Sequence, residues 1–231
     1  MSNFWQRLRY YLFGFGIGLF FVFFFFQNRG CSWLPSNRVK NTILGKVLVL
    51  PESEKKILQE NGLSEDEIIQ FLNNGNILFD ESLKENIYPK VYVIEKEIKG
   101  KTHKISFSLY EDAYISTVHY IDSIPQRFAQ LEGIGKVIRI PSDSGLVFLD
   151  KTPFINCKSQ PLVTRNDREI AKLIKETGQV NFDKSQLMLP KAEIHIQYLD
   201  SDSKMVEAKT IWFESRICFR DFYWEEEIIC D

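Results

Sequence analysis

Residues 74–82 read NGNILFDES, and residues 177–185 read TGQVNFDKS. A chain that writes Gly-x-(Ile/Val)-x-Phe-Asp-x-Ser twice, each time at the end of a helical pattern, is constrained to fold one unit twice. Gly75 and Gly178, Phe79 and Phe182, Asp80 and Asp183, Ser82 and Ser185, Glu111 and Glu214, and Tyr120 and Tyr223 all match at an offset of 103. Between turn and last strand the copies differ by two residues, as Pro89 and Pro190 mark, and loops tolerate such a change. The motif predicts a structural link from helix to sheet. Glycine supplies the positive φ that ends a helix, the alternate Ile/Val and Phe put apolar side chains on one strand face, and Asp and Ser hydrogen-bond the turn. Asp80 and Asp183 as twin catalytic carboxylates is the competing reading, weakened by how common turn aspartates are.

The first copy opens with a strand, KVLVLP, at residues 46–51. Two short helices follow, parted by Gly62, and Ser64 with Glu67 forms a capping box for the second. Alternating apolar residues at 90–98, 104–110 and 113–121 predict strands, with 99–103 as a turn. The second copy has a helix at 168–178 and strands at 192–200, 208–215 and 216–224. Between the copies, a short helix precedes the strand patterns KVIRI and LVFLD, which could pair with either sheet.

Nine of the 19 phenylalanines fall in the first 26 residues, which sets that segment apart. Residues 10–26 carry no charge and would rise about 25 Å as a helix, near a hydrocarbon core of roughly 30 Å. With Trp5, Tyr10, Tyr11 and Trp33 as interfacial aromatics, the expectation is an uncleaved transmembrane signal-anchor. Cys31 follows Asn28 where a lipobox wants an aliphatic residue, and no small-residue cleavage site precedes it. Arg7 and Arg9 on the short tail balance Arg29, Arg38 and Lys40 beyond the span. The placement is a single-pass inner-membrane protein with its bulk on the periplasmic side. Gly14 and Gly18 form a small-xxx-small pair that would suit a homodimer.

The first 31 residues hold three arginines and no acid, which leaves 26 basic and 31 acidic residues in the remainder. A mildly acidic domain argues against nucleic acid as a partner. Cys31, Cys157, Cys218 and Cys230 lack CxxC spacing and only three histidines accompany them, so no metal or other cofactor is expected. Cys218, among alternating apolar residues, reads as a core thiol. His103 falls in a predicted turn and His119 and His195 on strands, none with an acidic partner at fixed spacing. There is no nucleophile elbow, phosphate loop or dinucleotide fingerprint. The aromatic and charged run FRDFYWEEE could form an interaction surface.

Residues 53–121, above all ENGLSEDEI at 60–68, resemble the domain of unknown function 4258 family of bacteria, and residues 168–224 resemble it more weakly. That family is similar to the BrnT and RelE toxin fold, in which paired helices precede an antiparallel sheet and toxin members cut RNA. The resemblance implies a His and two Arg on the leading helix, and those positions here are Ser53, Ile57 and Asn61. Cleavage of RNA needs cations to hold phosphate or a base to take a proton. The expected function is therefore a non-catalytic binding or scaffolding protein of unknown protein partner, the rival being a divergent ribonuclease that uses Lys104 and His119.

The expected fold is α+β: a tail (1–9), a transmembrane helix (10–27), a juxtamembrane linker (28–45), a first repeat (46–121), a linker helix (122–135) and a second repeat (136–231). Each repeat would be a tandem domain of short helices and an antiparallel sheet.

Overall fold

In the computed structural model the described residues are 2–27, 34–84, 88–121, 131–141, 148–150, 167–213 and 216–224. The chain divides into two compact units, residues 1–39 and 40–231. In the first, α1 (Ser2–Gln27) is one helix whose large apolar side chains are exposed, Tyr10, Phe13 and Phe20 among them. α2 (Pro35–Leu44) runs into the second unit, where Ile43 is fully buried.

The second unit is built on strands and helices in the order β1 (Val47–Pro51), α3 (Glu52–Glu60), α4 (Glu65–Asn74), β2 (Asn76–Leu83), β3 (Lys90–Ile98), β4 (Lys101–Leu109) and β5 (Ile115–Tyr120). Next come β6 (Ile134–Arg139), β7 (Phe148–Asp150), α5 (Asp167–Thr177), β8 (Gln179–Gln186), β9 (Glu193–Leu199), β10 (Met205–Trp212) and β11 (Arg216–Trp224). All eleven described strands join one mixed sheet, ordered β2-β3-β4-β5-β1-β6-β8-β9-β10-β11-β7.

The duplication is written in the ladder. β2 pairs with β3 through Asn76–Glu95, Ile77–Ile94 and Leu78–Val93, then slips across a bulge to Leu83–Val91. β8 pairs with β9 through Gln179–Gln197, Val180–Ile196 and Asn181–His195, then slips to Gln186–Glu193. Offsets of 103 on the first strand and 102 on the second convert one set into the other, bulge included. β1 lies parallel to β5 as Val47–Ile115, and β7 lies parallel to β11 as Phe148–Arg216. A bulge in β11 between its pairings with Lys209 and Thr210 inserts Arg220, so the β5-to-β11 offset rises from 101 (Ser116 to Ile217) to 102 beyond it. Judged by cross-strand partners, Tyr120, opposite Ile105, therefore corresponds to Phe222, opposite Ala208, and not to Tyr223. Glu214 lies outside the described residues.

Strand directions fix how the copies are related. Both run in the same order across the sheet, but the antiparallel β1–β6 and β6–β8 pairings invert the second copy end for end. Keeping the strand order while reversing the strand direction is a half-turn about an axis in the sheet plane, which also exchanges the two faces of the sheet. Accordingly α3 and α4 cover the face of Leu48 and Leu50, with Leu58, Ile68, Phe71, Ile94 and Phe107 buried there. α5 covers the opposite face, where Ile170 and Ile174 pack with Val47, Val49, Val180, Phe182 and Ile196. Each of these fully buried aliphatic side chains contributes about 1.5–3 kcal/mol.

Two expectations are corrected. The N-terminal transmembrane helix falls first: among the described residues no helix is long and apolar enough to cross a membrane. Gln6, Arg7 and Arg9 occupy the second turn of α1, and glycines at 14, 16 and 18 dilute the apolar run. The transmembrane and signal-anchor assignments and the single-pass inner-membrane placement go with it. The second correction concerns the two tandem domains, which are halves of one continuous sheet. β6, its first two residues expected in a linker helix and the rest in the KVIRI strand, is the bridge, pairing with β1 on one side and β8 on the other. LVFLD supplies β7, at the far edge. Residues 131–133, also expected in the linker helix, are not helical, and residues 122–130 lie outside the described residues.

Candidate functional site

Among the repeat-motif residues, Gly75 and Gly178 end helices and Ser82 and Ser185 close bulges, though not always for the expected reason. Gly75 and Gly178 end α4 and α5, their N–H groups donating to Phe71 O and Ile174 O at 2.8 Å. Neither has positive φ; Gly75 sits at φ −73°. What demands glycine is space, since a Cβ would lie 2.4 Å from Phe71 O at one site and 2.1 Å from Ile174 O at the other. Ser82 donates to Leu78 O (2.7 Å) and accepts from Val93 N–H (3.1 Å), closing the bulge. Ser185 repeats this with Asn181 O (2.5 Å) and His195 N–H (2.9 Å).

Phe79 and Phe182 part company because of where their strands lie. β2 is the sheet edge, and Phe79 is half-buried with the Lys84 ammonium 5.2 Å from its ring centre. β8 is central, and Phe182 is buried against Gly135, whose missing Cβ leaves room for the ring. Asp80 and Asp183 are exposed, with five strands between theirs, so they form no carboxylate pair. Asp183 Oδ1 accepts the Gly133 N–H at 2.8 Å.

Lys104 and His119 do not form a cationic pocket. The Lys104 ammonium binds both oxygens of Glu81 at 2.6 and 2.8 Å. His119 lies between Glu54 (Nδ1–Oε1 3.4 Å) and Thr117 (Nε2–Oγ1 3.2 Å). A carboxylate, an imidazole and a hydroxyl in that order resemble an acyl-transfer triad, but Thr117 is fully buried and its hydroxyl has no route to a substrate. The cluster instead ties α3 to β5. Burial pushes the Glu54 carboxyl up, yet the His119 hydrogen bond and the Tyr120 N–H (3.0 Å) outweigh it and hold the pKa below the usual value. Tyr120 also donates to Asn61 Oδ1 (3.1 Å), which places one of the family-implied positions in a structural network.

His103 is buried on β4 beside Tyr120, not in a turn. The turn is only Lys99–Gly100, at φ 53° and 80°, the left-handed pair that a tight hairpin requires. Burial, then the nearby Lys101, lowers the His103 pKa. His195 lies on β9, its pKa lowered mainly by burial. Cys218 is a buried free thiol; Cys31, Cys157 and Cys230 lie outside the described residues. Among the described residues no group of His, Cys, Asp and Glu could hold a metal.

What the sequence reading missed is a cavity of about 680 Å³ at the seam of the two halves. The first half contributes Tyr88, Pro89 and Tyr110, and the second contributes Phe182, Asp183 and Ser185 around the β8 bulge. Leu131, Glu132, Leu187 and Met188 complete the described wall. Tyr88 is held by the β4–β5 turn, its hydroxyl oxygen accepting from Glu111 N–H (2.7 Å) and Asp112 N–H (3.2 Å). Its ring meets Tyr110 edge to face at 6.5 Å. Burial drives the Tyr110 phenol pKa well up. Nothing in sequence spacing links residues 88 and 182; only the repeated Phe-Asp-x-Ser pointed to one wall. A second cleft of about 550 Å³ lies between α3 and α4 in the segment carrying the family resemblance. No family model, curated protein or solved structure matches the chain.

Proposed function

We propose that residues 40–231 form a non-catalytic binding module whose ligand seat is the seam cavity. The observation that carries the reading is the cavity itself, with aromatic and aliphatic walls drawn from both halves and a few fixed polar groups. Small-molecule sites of about 300–1,000 Å³ are built in this way. The seat exists only because the copies share one sheet, which gives the fusion a use. Support for a non-catalytic role comes from the neutralised Lys104, the enclosed Thr117 hydroxyl and the separation of Asp80 from Asp183.

The test uses an environment-sensitive anionic naphthalene dye at low ionic strength and a neutral one in parallel. At least one dye binds the full chain with unit stoichiometry and a blue-shifted emission. Met188→Trp, at a wall residue 55 % exposed, fills the mouth and abolishes the signal while circular dichroism is unchanged. Absence of dye binding, or equal binding by the folded variant, refutes the seat.

A further inference from the structure

The walls of the seam cavity say more than its size. Its aromatic groups are Tyr88, Tyr110 and Phe182, its charged groups are Glu132 and Asp183, and no lysine, arginine or histidine stands among its described lining residues. The cations next in sequence to lining residues are engaged elsewhere, Lys184 2.6 Å from Glu207 and Lys90 2.9 Å from Glu111. Asp183 is oriented by the Gly133 N–H on one oxygen, and Glu132 is exposed at the rim. Ring faces carry negative potential and attract cations, most strongly where water is excluded. Carboxylates add charge that nothing on the described wall offsets. An anion would meet repulsion from both sources, and a neutral apolar ligand would use only the rings.

From this arrangement we infer that the seat takes an organic cation, of the alkylammonium class, with its methyl groups against Tyr88 and its charge facing Asp183 and Glu132. The inference rests on the cavity being a ligand seat and adds the class of ligand. Met188 suits the same occupant, because its flexible, polarisable side chain adapts to the shape presented. Tyr88 is held before any ligand arrives, its hydroxyl fixed by two backbone donors. Preorganisation of this kind lowers the cost of ordering the site on binding.

The probes are choline and its neutral isostere 3,3-dimethyl-1-butanol, titrated against the full chain by proton NMR with the dye experiment run beside them. Choline methyl resonances should move upfield from the ring currents, and choline should bind about threefold or more tightly than the isostere, as a solvent-accessible cation–aromatic contact provides. Glu132→Gln with Asp183→Asn, the latter keeping the acceptor for Gly133 N–H, should erase that preference and leave dye binding intact or stronger. If a dye binds and the isostere equals or exceeds choline, the cation class is wrong and the seat stands. Choline binding that persists unchanged in the double variant also overturns the assignment. Should neither choline nor any dye bind, the proposed seat itself fails.

Discussion

Removing the hydroxyl of Ser82 tests how the bulge is held. That oxygen donates to Leu78 O and accepts from Val93 N–H, and Val93 is fully buried. Ser82→Ala leaves one donor and one acceptor without partners in a site only 9 % exposed. An unsatisfied buried group costs about 1–3 kcal/mol, so the loss should be about 2–3 kcal/mol. Ser185→Ala breaks the equivalent bonds, but Ser185 is half-exposed on the cavity wall, where water can replace the hydroxyl. Its cost should be about 1 kcal/mol. Urea unfolding at constant slope reads both as shifts in midpoint. Because the sites share no partner, the double variant should be additive to within about 0.5 kcal/mol. Losses below about 0.5 kcal/mol at both sites, or a larger loss at Ser185, would refute the reasoning.

An inverted ion pair offers a second test: Glu81–Lys104 in the first half occupies the positions of Lys184–Glu207 in the second. Glu81→Lys alone should destabilise by about 1 kcal/mol, and adding Lys104→Glu should recover most of it, read by thermal unfolding. Gly75→Ala and Gly178→Ala should each cost more than about 2 kcal/mol, because the new methyl meets backbone carbonyls that cannot yield. Lys46, whose ammonium donates to Tyr110 O and to Ala113 O (2.6 Å), has its pKa lowered by burial from 10.5 to about 8. Since the folded value lies below the unfolded one, the cost of the buried charge is present at pH 7 and fades as pH rises from 8 to 10.5. Relative to Lys46→Met, the chain should gain about 1–2 kcal/mol over that window, after reducing the linkage limit of about 3 kcal/mol for partial solvent access. Glu54 has the opposite sign: its lowered pKa contributes stability above about pH 4.5 that disappears on acidification. The difference between Glu54→Gln and the parent, about 1 kcal/mol at pH 7, should shrink towards pH 3.

Local features were legible because local physics writes them. Ser64 and Glu67 do form both halves of a capping box, the apolar positions of α4 do face the core, and the repeated Phe-Asp-x-Ser does mark equivalent ladder positions. The union of the halves was not legible, since nothing in KVIRI states that its two edges will pair with strands from different copies. A constant offset of 103 was also too simple: connecting loops of different length and the extra residue of the β11 bulge shift register without disturbing composition, and each one-residue shift moves side chains to the other face. Phe79 and Phe182 illustrate the limit, identical in pattern yet different in burial because one strand is an edge. Tyr88 and Met188 gave no signal at all, as a cavity between halves depends on sheet order and not on spacing.

Hydrogen exchange of the full chain under increasing sub-denaturing urea measures the union of the halves most directly. If one sheet spans both copies, amides at Val93 and Phe107 and those at Ile196 and Ala208, all fully buried, will open with the same free energy and the same urea dependence. Two sets of amides opening at separate free energies, each with about half the urea slope, would show independent domains and contradict the shared sheet.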